Sequence, residues 1–169
     1  MLEALEEHRR LLERWNRTLN LTRIADLDRN YGESLFLARH LPPDPLKICD
    51  IGSGAGFPGF PVAIARPDCQ VTLIEAHQRK AVFLKEASRA HPTIRVLARR
   101  AEEIDERFDW AISRAVSDTD LAVVLPKLAP NAALLTGAEE PQIPGFVWDA
   151  TIPLLGSRNR FLRLGHCFT

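Results

Sequence analysis

The stretch Ile48-Cys49-Asp50-Ile51-Gly52-Ser53-Gly54-Ala55-Gly56 decides the fold. A short, mostly apolar run ends in three alternating glycines, a pattern that predicts a buried strand turning directly into a helix. Glycine adopts positive φ at no steric cost and leaves room for a ligand beside the backbone. Because ligands of open α/β sheets bind at the carboxyl ends of the strands, this glycine turn is a predicted nucleotide site.

Beyond the glycine turn, short apolar runs alternate with amphipathic helical stretches. The predicted strands are 46–51, 70–74, 93–97, 108–112 and 132–135. The predicted helices between them lie around 62–64, over 79–90 and over 121–128. Strands joined by helical crossovers indicate a mostly parallel sheet with helices on both faces. Two further apolar runs, 146–152 and 160–168, are predicted to pair as an antiparallel C-terminal edge.

The residues before this sheet predict a short helical N-terminal extension. Leu5, Leu12 and Leu19 form an apolar stripe at heptad spacing. A second helical stretch over 33–40 ends at two consecutive prolines, which cannot continue a helix. We therefore expect two units, a helical extension over residues 1–45 and a Rossmann-like domain over residues 46–169.

Composition narrows the class of protein further. The formal net charge of the 169-residue chain is zero, so a nucleic acid or a membrane would have to be bound by a local patch. The three cysteines show no ligand spacing, so we expect neither a disulfide framework nor a metal site. The N-terminus is charged, and no apolar run is long enough to span a bilayer. These features predict a cytoplasmic protein.

The glycine turn is followed by an acid at the end of the next strand. A carboxylate at Glu75 can accept hydrogen bonds from both ribose hydroxyls of an adenosine group. Residues 54–59 also match the GxGxxG fingerprint of dinucleotide sites. Two cofactors, a nicotinamide dinucleotide and S-adenosylmethionine, therefore compete for this geometry.

Three residues around the turn favour S-adenosylmethionine. A pyrophosphate needs free backbone N–H groups at the start of the helix, and Pro58 and Pro61 remove two of them. The carboxylate of Asp50 would repel a pyrophosphate but attract the ammonium and sulfonium groups of S-adenosylmethionine. A nicotinamide-dependent oxidoreductase is the weaker alternative.

The run 50–59 followed by Pro61 resembles the bacterial glucose-inhibited division protein B family, also called ribosomal small-subunit methyltransferase G. The resemblance extends in the same order from about Trp15 to Arg114. The other matching segments are Trp15-Asn16, Asn20-Leu21-Thr22, Glu33-Ser34-Leu35, Arg79-Lys80, Phe83-Leu84, Ala101-Glu102-Glu103, Phe108-Asp109 and Ser113-Arg114-Ala115.

The resemblance implies a class I methyltransferase fold and a defined reaction. Members transfer a methyl group from S-adenosylmethionine to N7 of a guanine in the decoding-region loop of 16S rRNA. The partner would then be 16S rRNA, the 30S subunit or an assembly intermediate. N7 carries a free lone pair in the ring plane, so we expect direct in-line attack on the methyl group without a general base.

The same resemblance assigns site residues by matching positions. Gly52 and Phe57 would contact the cofactor, and Ala101 and Glu102 would flank its adenine. Arg114, at the end of the fourth strand, would complete the site and is the candidate catalytic residue. The complete predicted cofactor-binding set is Asp50, Gly52, Gly54, Gly56, Phe57, Glu75, Ala101, Glu102 and Arg114.

Several alternatives stay open at this point. Arg114 has a purely structural alternative, an ion pair with Asp109 or Glu102. The chain has Asn30 where relatives carry histidine and Thr136 where they carry lysine. Methyl transfer to another substrate and a non-catalytic family member are therefore alternative functions. In addition, the family's late arginine matches either Arg158 or Arg160.

Overall fold

A computed structural model describes residues 1–168, with every side chain except that of Ile24. Its helices are α1 (Leu2–Asn16), α2 (Leu27–His40), α3 (Gly59–Ala65), α4 (Gln78–Ser88) and α5 (Asp118–Leu128). Its strands are β1 (Lys47–Ile51), β2 (Gln70–Ile74), β3 (Ile94–Leu97), β4 (Trp110–Arg114), β5 (Asn131–Thr136), β6 (Phe146–Pro153) and β7 (Phe161–Cys167). Short 3₁₀ turns lie at Ile24–Asp26 and Ala101–Glu103.

The strands form one sheet in the order β3-β2-β1-β4-β5-β7-β6. Strands β1 to β5 pair in parallel, and β7 pairs antiparallel with both β5 and β6. The strand order reverses between β1 and β4, and the glycine turn follows β1 at this switch point. The predicted fold, a Rossmann-like α/β sheet with an antiparallel C-terminal edge, is confirmed.

Helices cover both faces of the sheet because successive residues of each buried strand point to opposite sides. In β1, Ile48 packs into the cluster under α1 to α4, whereas Cys49 and Ile51 pack into the cluster under α5. Leu12 of α1 and Phe60 of α3 are also fully buried in the first cluster. The helical extension therefore shares a core with the sheet, and the boundary drawn after residue 45 stays a prediction.

Most elements differ from their predicted bounds by a few residues, and the differences in α2 and β4 bear on the site. Helix α2 begins at Leu27 because the turn Ile24–Asp26 leads directly into it, well before the predicted start. Strand β4 pairs from Trp110 to Arg114 because Asp109 is used at the strand's entry, where its carboxylate accepts the backbone N–H of Lys47 at 2.7 Å. This shift places Arg114 inside β4 as its last residue.

Candidate active site

The glycine turn after β1 has the backbone conformation that the sequence predicts. Gly52, Gly54 and Gly56 have φ values of 70°, 57° and 101°. On the side of the sheet, the backbone N–H groups of Gly52 and Ser53 both donate to the carbonyl of Ile74 at 3.0 Å. The turn is therefore fixed against the end of β2, with its open side facing away from the strands.

Glu75 follows β2 and holds the middle of the turn. Its Oε1 accepts the backbone N–H of Gly54 at 2.8 Å, and its Oε2 accepts that of His77 at 2.8 Å. A carboxylate oxygen can accept more than one hydrogen bond, so each Glu75 oxygen keeps capacity for a hydroxyl donor. This carboxylate is suited to a ribose beside the glycine turn.

Asp50 lies beneath the turn and is completely buried. Its Oδ2 accepts the backbone N–H of Gly59 at 2.9 Å, whereas its Oδ1 has no hydrogen-bond partner among the described residues. Burial raises the pKa of this carboxyl to about 7. A Cβ at Gly59 would come within 2.5 Å of Asp50 Oδ2, so the close approach requires glycine there. An unpartnered buried acid oxygen fits a cationic group bound above it.

The remaining predicted cofactor residues lie around the same end of the sheet. Ala101 is half-buried and packs with Leu97 and Val116 against the cluster under α5. The side chain of Glu102 is exposed, and its backbone carbonyl accepts from Lys127 Nζ at 3.0 Å. Phe57 is buried, and its backbone N–H donates to the carbonyl of Ser53 at 3.2 Å within the turn.

On the other side of the switch point, a second group of charged residues surrounds Glu33 of α2. Arg160 makes a bidentate contact with its carboxylate, at 2.6 Å from Nε and 2.8 Å from Nη2. Arg114 Nε lies 3.8 Å from the same carboxylate. We call Glu33, Arg114 and Arg160 the arginine cluster. The predicted structural alternative for Arg114 was therefore wrong in its partners, because Asp109 caps β1 and Glu102 faces solvent.

Arg114 is incompletely satisfied within this cluster. Its Nε is buried and makes no hydrogen bond to any described residue. Burial, with the nearby charge of Arg160, lowers its pKa below the ordinary arginine value. The next residue, Ala115, has a φ of 59°, a left-handed conformation that costs energy for a residue with a Cβ and is concentrated at functional sites. The end of β4 thus combines backbone strain with an unused donor.

The structure distinguishes the two late arginines and locates both departures from the family. Arg160 is in the arginine cluster, whereas Arg158 is exposed. Thr136 is the half-buried last residue of β5 and accepts a hydrogen bond from Arg163 Nε at 3.0 Å, so a contact between β5 and β7 occupies the family's lysine position. Asn30 is buried, and neither polar atom of its side chain has a partner among the described residues.

Sequence reasoning gave no role to Glu33, although the segment that contains it matched the family. It also left Arg160 unresolved and gave no role to the histidines. The structure places His8 of α1 in the core beside the glycine turn. The apolar stripe of α1 contained the only available signal, a histidine at a position that faces the core.

Two kinds of feature are absent from residues 1–168, a cluster of metal ligands and a membrane-spanning helix. No three His, Cys, Asp or Glu side chains come together as metal ligands in this part of the chain. Likewise, none of the helices that the structure describes is long and apolar enough to cross a bilayer.

The glycine turn and Glu75 at the switch point of this sheet, together with the buried Asp50 and the prolines at the start of α3, are the features of a Rossmann-like methyltransferase, the class that uses S-adenosylmethionine. The chain belongs to the rRNA small subunit methyltransferase G family, whose family model matches residues 1–135. The predicted family and cofactor are thereby confirmed.

Relatives support this membership over most of the chain. It is 41% identical to the ribosomal RNA small subunit methyltransferase G of Halorhodospira halophila over 144 residues, which is 79% of this chain and 68% of that protein. Across five such relatives, at 37–44% identity, the chain spans 57–68% of their length. It therefore corresponds to part of the length of these enzymes.

Solved structures show the same fold at low sequence identity. A putative RNA methyltransferase from Pyrococcus horikoshii superposes with a TM-score of 0.66 at 14% identity, over 83% of this chain and 85% of that chain. The glycopeptide N-methyltransferase MtfA in complex with S-adenosyl-L-methionine gives a TM-score of 0.64 at 12% identity, over 82% and 94%. These similarities support the architecture alone.

Proposed function

We propose that the chain transfers a methyl group from S-adenosylmethionine to N7 of a guanine in the decoding-region loop of 16S rRNA. The observation that carries the proposal is the pair of acids at the glycine turn. Glu75 holds the turn with capacity left for a ribose, and Asp50 offers a buried, unpartnered oxygen below it. Family membership supplies the rRNA substrate class.

The cofactor would lie across the ends of β1, β2 and β3. Glu75 accepts the ribose hydroxyls, while Ala101 and Glu102 flank the adenine. The turn itself contributes the bare backbone of Gly52, Gly54 and Gly56, together with that of Phe57. Asp50 attracts the methionine ammonium group from below. The carboxylates of Glu75 and Asp50 are already held by backbone N–H groups, and Ala101 is held by packing.

The guanine would enter between the glycine turn and the arginine cluster. Val116, two residues beyond Arg114, has a methyl group only 3.0 Å from where a Cβ at Gly52 would lie, so the end of β4 borders the turn. The Arg114 side chain is 19% exposed there, so its guanidinium can present donors, and the O6 and N7 edge of guanine consists of acceptors. A donor to O6 orients the base without using the lone pair of N7.

Methyl transfer would need positioning rather than proton transfer. S-adenosylmethionine supplies an electrophilic methyl group on a sulfonium, and N7 attacks it without first losing a proton. Positive charge passes from the cofactor to the base, so the net charge at the centre does not change. The chain's own residues would hold the reacting atoms in line, an effect worth up to about 7–11 kcal/mol in well-oriented systems. Arg114 and Asp50 are orienting groups in this scheme.

The test is transfer of tritiated methyl groups from S-adenosylmethionine to 30S subunits that lack this modification, with deproteinised 16S rRNA in parallel. We expect label at a single guanine. Borohydride and aniline should cleave the RNA at that position, as they do at 7-methylguanine. The Gly54→Asp variant is the inactive control, since a charged side chain would fill the cofactor site. Label that enters only small molecules, or no label with intact cofactor binding, would contradict the rRNA assignment.

One alternative has a structural basis of its own. Thr136 and Asn30 replace a lysine and a histidine of the family at the acceptor end, whereas the glycine turn is complete. This difference favours a second candidate function, a methyltransferase that binds the same cofactor but methylates another substrate. The same labelling experiment separates the two. For the proposed reaction the partner is 16S rRNA, a 30S particle or an assembly intermediate, and the compartment is the cytoplasm.

A further inference from the structure

His8 of α1 is a buried polar side chain that the proposed reaction does not use. It is 2% exposed, and its ring stacks on Phe60 with the ring centroids 4.3 Å apart. The ring also meets Phe57 edge-on, with the centroids 5.5 Å apart. An aromatic or aliphatic residue would satisfy this packing equally well, so the packing alone does not account for an imidazole here.

Both ring nitrogens of His8 are engaged. Nε2 lies 3.0 Å from the carbonyl oxygen of Ala55, and Nδ1 lies 2.5 Å from the hydroxyl of Tyr31 on α2. A carbonyl can only accept, so Nε2 must carry the proton, and Nδ1 of the neutral ring then accepts from the tyrosine hydroxyl. Burial lowers the pKa of His8 to about 4, which keeps this neutral form present at neutral pH. Two hydrogen bonds of fixed direction therefore link Tyr31 through His8 to Ala55, and we call them the Tyr31–His8–Ala55 hydrogen-bond chain.

The hydrogen-bond chain holds the side of the glycine turn that makes no hydrogen bond to the end of β2. Ile74 and Glu75 bind the turn at Gly52, Ser53 and Gly54. The carbonyl of Ala55 is buried, and among the described residues its hydrogen-bond partner is His8. Glycine-rich backbone has few side chains with which to fix its own conformation, so the contact from α1 supplies what the turn lacks.

We propose that the Tyr31–His8–Ala55 hydrogen-bond chain positions the glycine turn for its cofactor, which makes α1 and α2 part of the cofactor site. His8 is a positioning residue that acts through Ala55. The nature of the cofactor rests on the proposed function, whereas the ordering of the turn does not. A Cβ at Gly56 would lie 3.1 Å from His8 Nε2, so the turn and the imidazole are closely matched in space.

Three substitutions separate hydrogen bonding from packing. His8→Phe keeps an aromatic ring against Phe60 but removes both hydrogen bonds. His8→Gln restores a donor, because its amide nitrogen lies about as far from the backbone as Nε2 does. Tyr31→Phe removes only the hydroxyl. Val124→Ala, buried in the cluster under α5, is the control for a general loss of stability.

Hydrogen exchange of the ligand-free protein gives the first readout. In His8→Phe, the amides of residues 52–57 should exchange about tenfold faster, the size expected when one buried hydrogen bond is lost. His8→Gln should exchange nearly as the unmodified chain does, and Tyr31→Phe in between. If His8→Phe fails to fold, Tyr31→Phe decides the matter. Unchanged exchange in the variant that folds, or equal acceleration in Val124→Ala, would overturn the proposal.

Calorimetric titration with S-adenosylmethionine gives the second readout. The Kd should rise about tenfold in His8→Phe and return toward normal in His8→Gln, with kcat unchanged at saturating cofactor. A normal Kd in His8→Phe overturns the positioning role. If the unmodified chain does not bind S-adenosylmethionine, the proposed function fails, while the exchange measurement still decides whether His8 orders the turn.

Discussion

The two halves of the candidate site are built in different ways. The cofactor half is formed by neighbouring segments, in which the glycine turn, Asp50 and Glu75 are held mainly by backbone hydrogen bonds. The acceptor half is formed by side chains from α2, from β4 and from the residue just before β7, and its shortest contact joins residues 127 apart in sequence. A local motif specifies the first half, whereas the second exists only in the complete fold. The chain follows its family closely in the first half and departs from it in the second.

The largest expected effect is a loss of cofactor affinity from a substitution in the cofactor half. Glu75→Ala leaves the N–H groups of Gly54 and His77 without their acceptor and removes the proposed ribose contact. We expect S-adenosylmethionine to bind about a thousandfold more weakly, because hydrogen bonds to charged groups contribute about 1.5–3 kcal/mol each. Calorimetric titration measures this. Glu103→Ala, which changes an exposed acid, is the control and should bind normally.

Substitutions in the acceptor half should lower rRNA methylation without weakening cofactor binding. In Arg114→Met, we expect kcat/KM for rRNA methylation to fall about a hundredfold while the Kd of S-adenosylmethionine changes less than about twofold. The reason is that a good contact to a base edge contributes about 1–3 kcal/mol. Methyl-transfer kinetics and titration together test the separation. Arg158→Met, at the exposed late arginine, is the matched control. Equal losses in the two variants would show that the arginine cluster has no special role.

The long-range contact can be tested through the free energy of unfolding. Arg160→Met leaves the buried Glu33 with only the distant Arg114, so we expect a loss of about 2–3 kcal/mol, less than for a fully buried pair because Arg160 is partly exposed. Combining it with Glu33→Met removes the unpaired acid, and most of the loss should be recovered. Chemical denaturation of the four proteins in this cycle measures the coupling. Additive losses would mean that the two side chains stabilise the fold independently.

A smaller effect is the pH dependence of the protein's stability that arises from Asp50 in the cofactor half. The folded pKa of Asp50 is about 7, above its ordinary value of 3.8, so the folded protein binds more protons than the unfolded chain between these values. The stabilising contribution of the neutral acid is complete below pH 3.8 and is lost as pH rises through 7. Melting temperatures from pH 4 to 8 should therefore fall for the unmodified chain relative to Asp50→Asn. A constant difference between the two curves would contradict the raised pKa.

Much of the fold could be predicted because its signals are local. Alternating apolar runs and helical stretches gave the sheet, and the glycines with Glu75 gave the cofactor half. Glu33 and Arg160 could not be paired from sequence, because they are 127 residues apart and no local pattern indicates that they are in contact. The structural alternative for Arg114 names the wrong acids for the same reason, because Asp109 and Glu102 are near it in sequence whereas Glu33 is near it in space. His8 lies between Leu5 and Leu12 on the apolar stripe of α1, where the spacing indicates a core position and no sequence signal indicates a hydrogen-bonding role.

The position of β7 has a consequence for synthesis of the protein. This strand lies between β5 and β6 although it follows both of them in sequence, so the edge of β5 stays unpaired until β7 has left the ribosome. Because translation proceeds from the N-terminus at about 5–20 residues per second, the nascent chain can complete the cofactor half several seconds before Arg160 arrives. A molecule truncated before Arg160 would contain every residue of the cofactor half but would leave Glu33 without its bidentate partner.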